Sequence, residues 1–489
     1  MWTVNDVLEG CEGRFEGTAQ KTSAFNGFSI DTRTIQKNNL FFALSGPHFD
    51  GHRFVEDALR KGSGGAVVSQ SVFHTKKEIW FAQKPLCAFI LVDDPLLALQ
   101  RLAKWHRKRF SLPVVGITGS NGKTSTKEMT AAILKQQETI LKTEGNLNNH
   151  IGVPLTLLSL TTEHTAAVIE MGINQKGEMA QLSNISQPTM GLITNIGPAH
   201  LEGLGTLAGV AAEKTVLFES LQEDGTAIIN ADDPFLKPWK DRLSKQSPHK
   251  RTASWTFSIH SSPEPRKSAD ITATDIVLQK DTTTFTLHHN RLGESIGISL
   301  PVSGKHHVSN ALGAATVAAA LGISLKTIST GLSRFQPLSQ RTEVFKIKGV
   351  TLLFDAYNAN PASVEAALDL LAAYPREKGL RIALLGEMFE LGDFSAEFHN
   401  TVGRQTAAHG IDRLIAIGPS AQLMANGART EGMPDAAISA HSDLSTVKVA
   451  IEAFVRPNDI LLIKGSRGMK LERILPFFGL SETGERDTI

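Results

Sequence analysis

Eight short apolar runs constrain the architecture more than any other feature of the chain. Four fall in its middle, "LPVVGITG", "TAAVIEMG", "TMGLITNIG" and "GTAIINADD", and four near its end, "GVTLLFDAY", "LRIALLGEM", "DRLIAIGP" and "NDILLIKGS". Continuous apolar runs of this length read as strands buried on both faces of a parallel sheet. Each ends in glycine or a polar residue and precedes helix-compatible sequence, which reads as doubly wound α/β. In such sheets ligands collect beyond the carboxyl ends of the strands. Thr118, Glu170, Asn195, Asp232, Asp355, Glu387 and Lys464 stand there and form the first functional shortlist.

The chain has 489 residues. At roughly 100–200 residues per domain that suggests three. Residues 1–110 are expected to form a mixed α/β unit closing on "LAKWHRKRF", a basic helix read as a solvated face and linker. Residues 111–337 carry the first strand series and 338–489 the second. Within the central block, "KSADITATDIVLQKDTTTFTLHHNRLGESIGISLPVSG" alternates with a period near two and reads as antiparallel strands inserted late in the domain. "VSNALGAATVAAALGISL" falls short of about 20 strongly apolar residues and reads as a buried helix.

Only Cys11 and Cys87 are present, which argues against a disulfide scaffold and against a cysteine zinc site. Lys plus Arg number 50 and Asp plus Glu 49, so there is no electrostatic footprint for nucleic acid or an anionic membrane. The N-terminal residues lack a basic and then apolar leader. A reducing cytoplasm is the expected setting.

"VVGITGSNGKTSTKEMT" runs from strand through a glycine-rich turn to a helix start. Backbone N–H groups in such a turn can cradle phosphate oxygens. Lys123 would reach the outer phosphates and the Thr124 hydroxyl would ligate Mg²⁺. The full GxxxxGK[ST] pattern is not met, because its first glycine would fall on Ile117; the shorter run Gly119, Ser120, Asn121, Gly122, Lys123, Thr124 is present. Glu170, by residue type, is either a solvated strand-end carboxylate or a metal ligand, since a buried carboxylate is costly unless paired or bound. His200 is either structural or a ligand, and Lys214 either a surface lysine or something more.

Together these residues resemble the Mur ligases, the ATP-dependent amide ligases of peptidoglycan precursor synthesis, over nearly the whole chain. "TGSNGKT" resembles the family's phosphate loop, which itself lacks the first Walker glycine. His200 and Lys214 stand fourteen residues apart (214 − 200), as do the family's histidine and its carbamylated lysine. "HHVSNALGAA" resembles the adenine-contacting segment and places Asn310 at the base. Arg341 and Asp355 resemble third-domain residues that reach the nucleotide. "EGNLNNHIGVPLTLL", "EMGINQKGEM", "DAYNANPAS" and "LLGEMFELGDFSAEFH" resemble the branch that adds a dipeptide.

The resemblance implies an N-terminal mixed α/β UDP-binding domain, a central P-loop-type doubly wound ATPase domain and a C-terminal Rossmann-like domain. It implies ATP and two Mg²⁺ ions as cofactors, with metal held by Thr124, Glu170, His200 and a carbamylated Lys214, and catalysis by Lys123 with the last three. UDP-N-acetylmuramoyl-tripeptide and D-alanyl-D-alanine are the implied small-molecule substrates of a monomer. Asp31, Thr32, Arg33, Gly46, Asp50, His52, Asn149, Asn358 and Asn360 are the implied substrate-binding residues. One nucleotide touching Asn310, Arg341 and Asp355 would require domain closure about a hinge near Pro337. A Mur ligase adding residue three, or a folylpolyglutamate synthetase-like ligase, is the alternative. A P-loop GTPase is disfavoured because "NADDP" lacks the Asn-Lys-x-Asp pattern.

Overall fold

The structure is a computed structural model and describes residues 1–18, 24–245, 252–260, 269–279, 281–336, 343–376 and 378–481. Arg341 and the expected hinge at Pro337 lie outside the described residues. Three sheets organise the chain.

The first sheet contains β1 (Arg14–Gly17), β2 (Gly27–Ser29), β3 (Asn39–Phe42), β4 (Gly65–Ser69) and β5 (Ala88–Val92) in the order β1-β5-β4-β3-β2. All pairs are parallel except β1 with β5. Helix α1 (Pro95–Arg107) follows, its first turn capped by Asp94, whose carboxylate accepts from Leu96 N at 2.7 Å.

The central sheet contains β6 (Val114–Thr118), β7 (Ile140–Lys142), β8 (Ala166–Glu170), β9 (Met190–Ile193), β10 (Thr226–Asn230), β11 (Ala253–Ser258), β12 (Ile271–Leu278), β13 (Thr283–His289) and β14 (Glu294–Leu300). Their order is β7-β8-β6-β9-β10-β11-β12-β13-β14. The first seven are mutually parallel. The alternating segment does form antiparallel pairs, β12 with β13 and β13 with β14. β12 also pairs in parallel with β11, so the segment prolongs the same sheet. Helix α2 (Lys123–Leu134) leaves the phosphate-type turn, and α3 (Leu207–Glu219) and α4 (Lys305–Ala320) pack against the sheet. Val308, Ala311, Leu312, Ala315 and Ala318 of α4 are fully buried, as expected of that run.

The third sheet, β15 (Glu343–Ile347), β16 (Val350–Asp355), β17 (Arg381–Leu385), β18 (Arg413–Ile417), β19 (Ile438–His441) and β20 (Ile460–Lys464), is ordered β15-β16-β20-β17-β18-β19. Only β15 with β16 is antiparallel. All eight apolar runs are strands, and their central residues are buried. Full burial of each Val, Leu or Ile contributes roughly 1.5–3 kcal/mol.

The basic end of α1 is not a solvated face. Arg107 is only 4% exposed, and its guanidinium donates to the carbonyls of Ser186 at 3.1 Å and Gln187 at 3.3 Å in the central unit. Gln100 donates to His150 O at 3.0 Å, Lys104 to Asn184 Oδ1 at 2.6 Å, and His106 Nε2 lies 3.0 Å from Leu160 O. Charge content alone missed this, because lysine and arginine stems bury readily when their polar ends find carbonyls. No helix of the described residues is long and apolar enough to cross a membrane.

Candidate active site

The turn between β6 and α2 is built around two glycines. Gly119 has φ +147°, and a Cβ there would stand 1.9 Å from Thr194 Oγ1. Gly122 has φ +78°, and a Cβ there would stand 2.2 Å from Asn310 Oδ1. The segment after β9 braces the turn. Asn195 Oδ1 accepts from Asn121 N at 3.0 Å, its amide donates to Asn121 O at 3.1 Å, and Ser120 Oγ donates to Gly197 O at 2.8 Å. Lys123 Nζ donates to the carbonyls of Gly119 at 2.8 Å and Ser120 at 3.3 Å, at the mouth of the turn. The buried Asn310 of α4 presses on Gly122, so residues nearly two hundred positions apart meet at one loop.

Glu170 ends β8 and is 2% exposed. Its Oε1 accepts from Thr124 Oγ1 at 3.2 Å and Asn148 Nδ2 at 2.8 Å. Its Oε2 is buried without a hydrogen-bond partner, 4.0 Å from the ammonium of Lys127. Lys127 is itself buried and bonds Thr143 O at 2.6 Å and Glu128 at 2.9 Å. Glu128 also pairs with Lys142 at 2.7 Å. Burial raises the Glu128 carboxyl, but the hydrogen bonds and charges of Lys142 and Lys127 outweigh it and hold it below the usual range. Among the described residues no group of three His, Cys, Asp or Glu side chains forms a metal cage. The orphaned Oε2 beside a threonine hydroxyl nevertheless fits a hard cation that takes its remaining oxygens from phosphate and water.

Lys214, on α3, is fully buried and its Nζ has no partner. Burial first, then the nearby charge of Lys123, pushes its ammonium well below the usual lysine range. The adjacent Glu213 does not neutralise it by contact. Its carboxylate accepts from Gly177 N at 3.0 Å and Met179 N at 2.8 Å instead. His200 has φ +56°, and its Nδ1 lies 2.5 Å from Oε2 of Glu390 in the third unit.

The third unit also reaches the loop through Asn360, whose amide donates to Asn121 Oδ1 at 2.8 Å while its own Oδ1 caps the helix Pro361–Ala373. Asp355 and Lys464 are cross-strand neighbours on β16 and β20, paired at 2.7 Å, and Lys464 also donates to Asn358 O at 3.0 Å.

The first-unit candidates lie apart from this cluster. Asp31 lines a cleft of about 920 Å³ between the first and central units, which Ser29, Arg109, Lys142 and Leu147 also line. Arg33 holds the Asp31 carboxyl down at about 2. Thr32 is buried, with its carbonyl bonded to Lys61 at 2.9 Å. Gly46 and Asp50 lie on the two strands of a small hairpin, and His52 is buried, with Nδ1 2.7 Å from Asp50 Oδ1 and Nε2 accepting from Ser69 N at 2.9 Å. Asn149 caps the helix Gly152–Leu157, accepting from Gly152 N at 2.9 Å. Its neighbour Asn148 is the one that reaches Glu170. Sequence reading missed Asn148, Lys127 and Glu390.

The family model for the Mur ligase middle domain matches residues 117–318, and that for the Mur ligase glutamate ligase domain matches residues 340–467. The chain belongs to the Mur ligase family. Among curated Mur ligases, the UDP-N-acetylmuramoyl-tripeptide--D-alanyl-D-alanine ligase of Bacillus subtilis is 35% identical over 97% of each chain. A crystal structure of MurF from Acinetobacter baumannii superimposes with a TM-score of 0.84 at 30% identity, covering 97% of this chain and 98% of that one. The MurF ligase of Thermotoga maritima in complex with ADP matches with a TM-score of 0.74 at 26% identity, over 92% and 96%. The three-unit α/β architecture of this Mur ligase is thus shared over more than nine-tenths of its length.

Proposed function

We propose that the chain is an ATP-dependent amide ligase that joins D-alanyl-D-alanine to UDP-N-acetylmuramoyl-tripeptide, yielding the pentapeptide, ADP and phosphate for peptidoglycan synthesis. The observation that carries this reading is the full-length likeness to ligases of that name, joined to a phosphate-type loop whose neighbours are Glu170 and Lys214. The reading makes it a monomer of the cytoplasm that acts on small molecules.

A carboxylate is a poor electrophile because both oxygens share its charge. Transfer of the γ-phosphoryl group of ATP to one oxygen of the tripeptide carboxylate turns that oxygen into a leaving group. The amine of D-alanyl-D-alanine attacks the acyl carbon, and the tetrahedral intermediate expels phosphate and loses a proton. Lys123 neutralises charge on the transferring group, where positioning and electrostatics carry most of catalysis. Thr124 and Glu170 would hold one Mg²⁺, and His200 with Lys214 would complete a second site. When bound, Mg²⁺ offsets charge gathering on the phosphoryl oxygens.

Lys214 suits carbamylation because CO₂ adds to an uncharged amine. The new N–C bond releases a proton and leaves a carboxylate where a buried ammonium had no partner. Asn310 from the central unit and Arg341 and Asp355 from the third would bind the nucleotide. The cleft at Asp31 would take the UDP end, with Thr32, Arg33, Gly46, Asp50 and His52 as further contacts. Asn149, Asn358 and Asn360 would border the peptide end.

The test is phosphate release from ATP with each acceptor alone and with both. Release that needs both the tripeptide and the dipeptide supports the reading, as does transfer of ¹⁸O from the tripeptide carboxylate to phosphate. Release driven by glutamate and a folate, or unlabelled phosphate, overturns it.

A further inference from the structure

Among the described residues of the third unit, Glu390 meets the candidate metal ligand His200. Its Oε2 stands 2.5 Å from Nδ1 of His200. The Glu390 side chain is 49% exposed, but the backbones on either side of the pair also meet. His200 is 18% exposed at its side chain, and the backbone N–H of Glu202 donates to Glu390 O at 3.2 Å. Gly392 closes against Glu202, with its would-be Cβ 3.4 Å from Glu202 Cα. Just before Glu390, Phe389 N donates to Ser466 Oγ at 2.9 Å and Met388 N to His399 Nε2 at 3.0 Å. Both His200 and Glu390 have positive φ, +56° and +64°, a conformation uncommon outside glycine and concentrated at functional sites. The hydrogen bond from His200 comes first, and with the charges of His200 and Lys123 it holds the Glu390 carboxyl below the usual range against the effect of burial.

A carboxylate can only accept, so the Nδ1 of a neutral His200 must carry the proton and its lone pair must sit on Nε2. Metal-binding histidines are oriented in this way by a carboxylate on the far nitrogen. We infer that Glu390 is a positioning residue, contributed by the third unit, that fixes His200 as an Nε2 donor so that the second cation site is complete only when that unit is seated. The inference rests on the proposed metal role of His200. Without Glu390 the Nδ1 of His200 would lose this acceptor and the ring would be free to change tautomer and angle.

The full-length protein with ADP is titrated with Mn²⁺ and followed by electron paramagnetic resonance. The ring tautomer is read by ¹⁵N spectra of histidine-labelled protein with ADP and Mg²⁺. Glu390→Ala is expected to weaken Mn²⁺ binding about tenfold or more. Glu390→Gln, whose carbonyl still accepts the Nδ1 proton, weakens it less. The resonance that His200→Ala deletes is expected in the Nδ1–H form in the parent and not in Glu390→Ala. Wild-type Mn²⁺ affinity in Glu390→Ala, or an unchanged tautomer, overturns the proposal. If His200→Ala alone loses affinity, Glu390 falls and the metal role of His200 stands. If neither variant loses affinity, both fall.

Discussion

Asn148 Nδ2 donates to Oε1 of Glu170 at 2.8 Å, while Oε2 of the same carboxylate is buried with no hydrogen bond at all. The two oxygens are therefore different in kind: one is held by hydrogen bonds, while the other has only the Lys127 ammonium at 4.0 Å and, under the proposed function, would bind the cation. An unsatisfied buried carboxylate oxygen is costly and is retained where something else satisfies it.

Glu170→Gln keeps a group that can accept from Asn148 and Thr124 but removes the charge. Turnover in the phosphate-release assay is expected to fall about 100-fold or more, by analogy with losing one preorganised electrostatic contact. Thermal stability is expected to stay level or rise, because a buried charge goes with it. Asn148→Ala leaves Oε1 with the Thr124 hydroxyl alone and is expected to raise the Mg²⁺ concentration needed for half-activity about tenfold. An unchanged Mg²⁺ requirement would remove Asn148 from the site.

Gly122→Ala places a Cβ against Asn310 and forces alanine into a left-handed conformation. The expected cost is about 1–3 kcal/mol of stability. ADP binding by calorimetry should weaken more than tenfold, because the loop cannot shift without breaking its brace to Asn195. Gly145, also at positive φ but with nothing within 4 Å of a Cβ, is the control.

Lys214→Ala is expected to abolish turnover, and short carboxylic acids such as acetate should restore part of it by supplying the missing oxygens. In the parent, depletion of CO₂ should lower activity reversibly. Full activity of Lys214→Ala, with no response to acetate, would refute the carbamate.

Burial pushes the Cys87 thiol up to about 11, and that of Cys11 further still. At pH 8 about one part in a thousand of Cys87 is thiolate, so native protein should react with thiol reagents slowly and faster as pH rises toward 11. Both cysteines should react at once in denaturant. Rapid native labelling at pH 8 would contradict this burial.

What was legible followed from local pattern. The strands ending at Thr118, Glu170, Asp355 and Lys464 were readable because buried parallel strands leave an uninterrupted apolar trace. Short edge strands such as Ile140–Lys142 and Ile438–His441 leave too little trace to see. Lys123 and Thr124 were readable because loop and helix start are contiguous. Asn148 was not, because it and Asn149 are chemically identical neighbours, and only the backbone direction decides which caps a helix and which meets Glu170. Glu390 was invisible for a different reason: its partner is 190 residues away, and no periodicity carries that distance. Arg107 misled because a basic run looks the same whether it faces water or carbonyls.

The helix Pro95–Arg107 ties the first unit to the central one, since Gln100 and Arg107 donate to the carbonyls of His150, Ser186 and Gln187. Under the proposed function, a nucleotide-sugar resting in the cleft at Asp31 would have to span from there to Lys123, and the length of its peptide would decide whether the terminal acid meets the phosphoryl donor.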